Sequence, residues 1–119
     1  MTIQPMLKVR DLESTKAFYR DKLRFRVCDE SPEATPDAIC KARLGGATLT
    51  FTTADLWPGE PGMTGILYVH VDDVVAYYAQ VHASVTVTWP LQTRSDDTKE
   101  FGVLDCNGYT LAFAQSPSN

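Results

Sequence analysis

The sequence predicts an α+β protein of two tandem βαβββ modules, each a curved mixed sheet with its helix on the convex face. Three observations carry this prediction. "GATLTF" (residues 46–51) and "GYTLAF" (residues 108–113) are one strand written twice, 62 positions apart, matching at Gly, Thr, Leu and Phe. At the same offset "QPMLKVRDL" (residues 4–12) is matched by "ILYVHVDDV" (residues 66–74), each a strand running into an acidic helix start. Within each half the apolar period then changes from helical to alternating.

The elements follow in order. Asp11 is a natural N-cap, because its carboxylate can accept the unpaired amide protons of a first helical turn. The helix behind it carries Leu12, Phe18, Tyr19 and Leu23 on one face. Three alternating stretches come next: "FRVCDE" from Phe25, "AICKARL" (residues 38–44) and the first "GxTLxF" strand. Gly45-Gly46 is turn chemistry that tolerates positive φ. The acidic, Pro-punctuated "DESPEATPD" from Asp29 is expected as a mobile loop. "ADLWPGEPGMTG" is rich in Pro and Gly and reads as the link between halves.

In the second half Asp72 or Asp73 caps a helix with Val74, Tyr77, Tyr78 and Val81 on its apolar face. Tyr77 and Tyr78, being consecutive, are not expected both to point inward. "SVTVTW" from Ser84 reads as a strand ended by Trp89 before Pro90. "KEFGVL" (residues 99–104), an Asn107-Gly108 turn and the second "GxTLxF" strand complete the copy. Two copies are too few for a solenoid and suit a pseudo-twofold pair. The expected organisation is one domain, 1–119, with module 1 at 1–53, a linker at 54–64 and module 2 at 65–119.

Composition narrows the function classes. A chain of 119 residues is long enough to bury one ordinary core. No apolar run approaches the ~20 residues of a bilayer span, so no membrane partner is expected. The first residues lack the apolar centre of a secretion signal. Cys28, Cys40 and Cys106 are odd in number and show no CxxC spacing. That predicts reduced thiols and a cytoplasmic protein. With 11 basic and 15 acidic residues the net charge is −4. No Lys/Arg stripe is visible in the sequence, so nucleic acid is not an expected partner. The acidic excess weakly favours a cationic ligand.

Alternation gives each strand two faces. Leu7, Val9, Leu49, Phe51, Leu67, Val69, Leu111 and Phe113 form the greasy one, which must pack on the helices. Gln4, Met6, Lys8, Thr48, Thr50, Ile66, Tyr68, His70, Thr110 and Ala112 lie opposite. A mixed face of this kind is the usual lining of a ligand pocket, and also the usual surface of a half-exposed antiparallel sheet.

"LKVRDLESTKAFYRDKL" and "KEFGVLDCNGYTLAF" resemble the first strand and helix and the closing hairpin of the vicinal-oxygen-chelate superfamily. Cys106 stands where that hairpin usually has proline. The superfamily includes glyoxalase I, extradiol dioxygenases, fosfomycin-inactivating enzymes and bleomycin-resistance proteins, and the resemblance covers nearly the whole chain. It implies that Glu100 and Gly102 face the same hollow as Tyr68 and His70. It also implies that metal ligands, where present, sit on the first and last strands of each module. Those places hold Gln4, Thr50, Ile66 and Ala112 here. Two of these carry no donor atom and none is a carboxylate or imidazole, so no metal and no cofactor are expected. Small relatives pair about a twofold axis, and a homodimer is expected here too.

The resulting expectation is a metal-free small-molecule binding protein nearest the bleomycin-resistance branch, sequestering its ligand in a hollow closed by dimerisation. The ligand-binding residues would be Gln4, Thr48, Thr50, Ile66, Tyr68, His70, Glu100 and Ala112, with Trp57 or Trp89 as lid or stacking surface for an aromatic or cationic molecule. The alternative is an enzyme of the same superfamily (lyase, isomerase or dioxygenase). It would use atypical metal ligands or metal-free acid–base catalysis, with Glu100 and His70 as the catalytic candidates. No nucleophile elbow and no phosphate-binding glycine loop is present.

Overall fold

The computed structural model describes residues 3–29 and 39–115. Most of the acidic stretch expected as a loop, from Glu30 onward, and Ala38 of the expected third strand lie outside the described residues. The chain divides into two compact units, Met1–Gly62 and Met63–Asn119.

The first unit runs β1 (Met6–Lys8), α1 (Leu12–Ala17), a π-helical turn (Phe18–Lys22), β2 (Arg26–Asp29), β3 (Ile39–Leu44) and β4 (Ala47–Thr52). Its four strands lie in the order β1-β4-β3-β2, with β1 parallel to β4 and the other pairs antiparallel. α1 begins where the Asp11 carboxylate accepts the Ser14 amide proton at 3.3 Å, the predicted cap. It closes in a widened turn in which the Leu23 amide donates to the Phe18 carbonyl at 3.2 Å. Tyr19, on that turn, is fully buried, with ring centroids 5.3 Å from Phe25 and 4.7 Å from Phe51. Gly45 takes φ +56 in the β3–β4 turn, a conformation that favours glycine.

The second unit repeats the plan with β5 (Ile66–His70), α2 (Val74–Val81), a 3₁₀ turn (His82–Ser84), β6 (Thr86–Thr93), β7 (Lys99–Leu104) and β8 (Thr110–Gln115), in the order β5-β8-β7-β6. Asp73, not Asp72, is the cap: its carboxylate accepts the Ala76 amide proton at 3.1 Å. The Gln115 side chain accepts the Val74 amide proton at 2.8 Å, tying the helix start to β8. Val74, Tyr77 and Val81 are buried, as are Phe101, Val103, Leu111 and Phe113 on the sheet, and the Tyr77 ring lies 6.0 Å from Phe101 and 4.9 Å from Phe113 between centroids. Each fully buried side chain of this size contributes about 1.5–3 kcal/mol, and a one-residue slip would turn the whole set to solvent. The greasy face therefore sets the register and leaves the opposite face free for other chemistry.

Of the two tyrosines of α2 only Tyr77 is buried, as expected; Tyr78 is half-buried, with ring centroids 4.8 Å from Phe101 and 4.9 Å from His82. One local expectation is corrected. β6 does not stop at Trp89. It continues through Pro90 to Thr93 with breaks of register on either side of Trp89. β6 is an edge strand, so a proline there sacrifices no bond to a further strand, and bulges absorb it.

Candidate functional site

The face of each sheet turned away from its helix can be read in rows from the pairing. In the second unit one row runs Tyr68, Ala112, Gly102, Trp89 and the next runs His70, Ala114, Glu100, Gln92. Ile66, Thr110 and Leu104 form a third. All of Ile66, Tyr68, His70, Glu100, Ala112 and Trp89 thus occupy one sheet face.

Its centre is Glu100. The residue is 2% exposed, yet its carboxylate is well supplied with donors. The Trp89 indole N–H donates to Oε2 at 3.2 Å and the Tyr68 hydroxyl donates to the same oxygen at 3.3 Å. The Arg94 guanidinium stands 3.6 Å from Oε1. A buried carboxylate needs such partners, since an unpaired one would carry the full desolvation penalty. Around it stand two aromatic walls. Tyr68 is 48% exposed. Trp89 lies against the backbone of β7, where Gly102 leaves room for it.

His70 does not join this group. It is in register with Ala114, which is in register with Glu100, so the two candidates for acid–base work stand two strand spacings apart, about 10 Å. The hydrogen-bond partners of Glu100 are Tyr68 and Trp89 instead. Arg94 is the part of the site to which the sequence did not point; the resemblance places Gly102 on this face but not its role in seating Trp89. A loop arginine gives no periodic signal, and the packing reason for a glycine is invisible until its neighbour across the sheet is known.

Gln4, Thr48, Thr50 and Trp57 belong to the first unit. Gln4 is exposed and precedes β1; Thr48 and Thr50 lie on β4, in register with Arg43 and Lys41. Trp57, 38% exposed, is fixed by Lys8. The Lys8 ammonium donates to the Trp57 carbonyl, to the Gly59 carbonyl at 2.9 Å and to Asp55 Oδ1 at 2.8 Å, and lies 5.2 Å from the indole centroid. The stretch read as a linker is thereby fastened to β1 over its first part.

The four positions that the family resemblance marks for metal ligands do not fit a divalent ion. Ile66 and Ala112 offer only hydrocarbon, Thr50 a neutral hydroxyl and Gln4 a neutral amide, so nothing there offsets dehydration of the cation. Glu100, the acidic side chain on the same face, already accepts from two donors and faces a third. Among the described residues no three His, Cys, Asp or Glu side chains are grouped to hold a metal.

Tandem βαβββ units, each with a helix on one face of a mixed sheet and a mixed polar–aromatic set on the other, define a protein of the vicinal-oxygen-chelate type. The chain belongs to the glyoxalase/bleomycin resistance protein/dioxygenase superfamily, whose family model matches residues 3–113. Among solved structures it is similar to a glyoxalase/bleomycin resistance protein/dioxygenase from Alicyclobacillus acidocaldarius (TM-score 0.72, 18% identity, 99% of this chain and 92% of that one). It is similar also to a member of the same superfamily from Sphaerobacter thermophilus DSM 20745 (0.76, 16%, 98% and 98%) and to TioX from Micromonospora sp. ML1 (0.76, 18%, 98% and 99%). Identities this low establish the fold alone. No curated protein matches the chain in sequence.

Proposed function

We propose that this chain binds a flat, cationic small molecule on the open sheet face of its second unit and sequesters it unchanged, in the manner implied by the bleomycin-resistance branch of its superfamily. One observation carries the reading: a buried carboxylate, Glu100, is held between two aromatic side chains, Tyr68 and Trp89, by their own polar tips. An aromatic pair with a negative group between them suits a ligand ring that stacks and a ligand cation that takes the charge. Arg94, whose side chain is 52% exposed, is the group such a cation would replace. His70 and Ile66 extend the same face and would border the ligand.

The reading includes a homodimer. Ile66, Tyr68 and Leu104 are exposed by 45%, 48% and 37% on that one face, and a second copy would cover them. It also places the protein in the cytoplasm, where the thiols of Cys28, Cys40 and Cys106 stay reduced.

Titration of intrinsic fluorescence with bleomycin, a cationic and aromatic probe, tests it. Saturable quenching is expected in the wild type and in Trp57→Phe, and its loss in Trp89→Phe. Quenching that survives Trp89→Phe, or never saturates, would overturn the reading. Light scattering that shows only monomer in the presence of saturating probe would remove the dimer.

A further inference from the structure

The open face of the first unit carries the opposite chemistry. On β2 and β3, Arg26 is directly in register with Arg43, and the row continues to Thr48 on β4. The next row brings Cys28 against Lys41. Side chains in register across two strands stand about 4.5–5.5 Å apart at Cβ, so the two guanidinium stems leave the sheet side by side. Like charges placed directly opposite destabilise a sheet. Among the described residues neither arginine forms an ion pair with a carboxylate; Arg43 points its Nη1 at the Cys28 sulfur, 3.8 Å away. A cavity of about 380 Å³ opens between them, lined by Arg26, Val27, Cys28, Arg43 and Gly45. That volume is within the range of small-ligand pockets. Gly45, part of that lining, holds φ +56, and nothing lies within 4 Å of where a Cβ would stand.

Two forks lining one cavity, in a chain whose net charge is negative, match a planar or tetrahedral oxyanion, which each guanidinium can grip through two parallel N–H bonds. We propose that Arg26 and Arg43 form an oxyanion-binding site for a small organic carboxylate or phosphate, seated in this cavity with Cys28 beside it. The site rests on first-unit residues alone and does not depend on the function proposed above.

The test uses the whole protein with inorganic phosphate and with succinate as probes, at constant ionic strength set with sodium chloride. Alkylation of Cys28 by iodoacetamide, followed by peptide mass, reports occupancy, and Cys106 on the β7–β8 turn serves as reference. Both cysteines are exposed. Saturable, several-fold slowing at Cys28 with no change at Cys106 is expected in the wild type and in Arg10→Gln. It should weaken about tenfold in Arg26→Gln or Arg43→Gln and vanish in the double variant. Protection by phosphate alone assigns a phosphoryl ligand, and protection by succinate alone assigns a carboxylate. In chloride without either probe, Arg43→Gln should melt no lower than the wild type, because it relieves a like-charge pair. Equal slowing at both cysteines, protection that persists in the double variant, or no protection by either probe would refute the site. So would a lower melting temperature for Arg43→Gln in chloride.

Discussion

Trp89 occupies the space where a side chain on Gly102 would be: a Cβ there would fall 2.5 Å from indole Cδ2 and Cε3 and 2.5 Å from the Thr88 hydroxyl. The glycine is what lets the indole lie on β7, and lying there aims its N–H at Glu100. Gly102→Ala should therefore displace the ring. The expected result is a loss of about 1–3 kcal/mol of stability from overpacking, seen in chemical denaturation, together with a red shift of Trp emission. Unchanged stability and emission would mean that the ring is not fixed by this contact.

Glu100 gives a prediction in two arms. Glu100→Ala leaves the indole N–H without its acceptor and opens a void beside Trp89, and should cost about 1–3 kcal/mol. Glu100→Gln keeps shape and one acceptor, so it should fold nearly as well while binding a cationic ligand at least about tenfold more weakly. Arg94→Gln should do the reverse and tighten the same ligand, since the cation no longer competes with a guanidinium. Calorimetric titration of the three variants reads all of this directly.

Much of the fold could be read from the chain because period and punctuation agreed at each step. The repeated "GxTLxF" strand, the Asp11 cap and the alternation of Leu111 and Phe113 all describe local chemistry that packing reinforces. Tyr68 could be named as a face residue by alternation, Glu100 by resemblance, and Trp89 as a lid or stacking surface. Their convergence could not, because it depends on the breaks of register on either side of Trp89 that set it opposite Gly102. The Arg26–Arg43 pair escaped notice for a related reason. The residues are 17 positions apart, and only the register between β2 and β3 makes them neighbours. A Lys/Arg stripe sought along the sequence does not reveal one that runs across strands.

Lys8 is 8% exposed and fastens the segment after β4 through three acceptors. Lys8→Met keeps the aliphatic stem but abandons the carbonyls of Trp57 and Gly59. It should destabilise the first unit by about 1–3 kcal/mol and raise proteolytic cleavage within residues 54–62. In a Trp89→Phe background, the remaining indole should become more accessible to iodide quenching. Cleavage and quenching at wild-type rates would show that Lys8 does not hold the segment.

The acid limb of stability should report the same contact. Lys8, first by its hydrogen bond and then by its charge, holds the Asp55 carboxyl below its ordinary value of 3.8. A carboxyl depressed in the folded state binds protons less readily there than in the unfolded chain. Its contribution is therefore complete above 3.8 and disappears as pH falls through the lower folded value. Asp21 beside Arg20 and Asp96 beside Thr98 are depressed too and act with the same sign, so the wild-type curve alone does not isolate Asp55. The comparison that does is wild type against Asp55→Asn, melted at intervals from about pH 6 to about pH 3. Asp55 is 91% exposed on its side chain, so the difference should be small and should shrink in added salt. The wild type should lose more stability than Asp55→Asn across the lower part of the range, and the gap between them should close at its acid end. Two parallel curves would show that the carboxylate contributes nothing to holding Lys8 and that the carbonyls of Trp57 and Gly59 suffice.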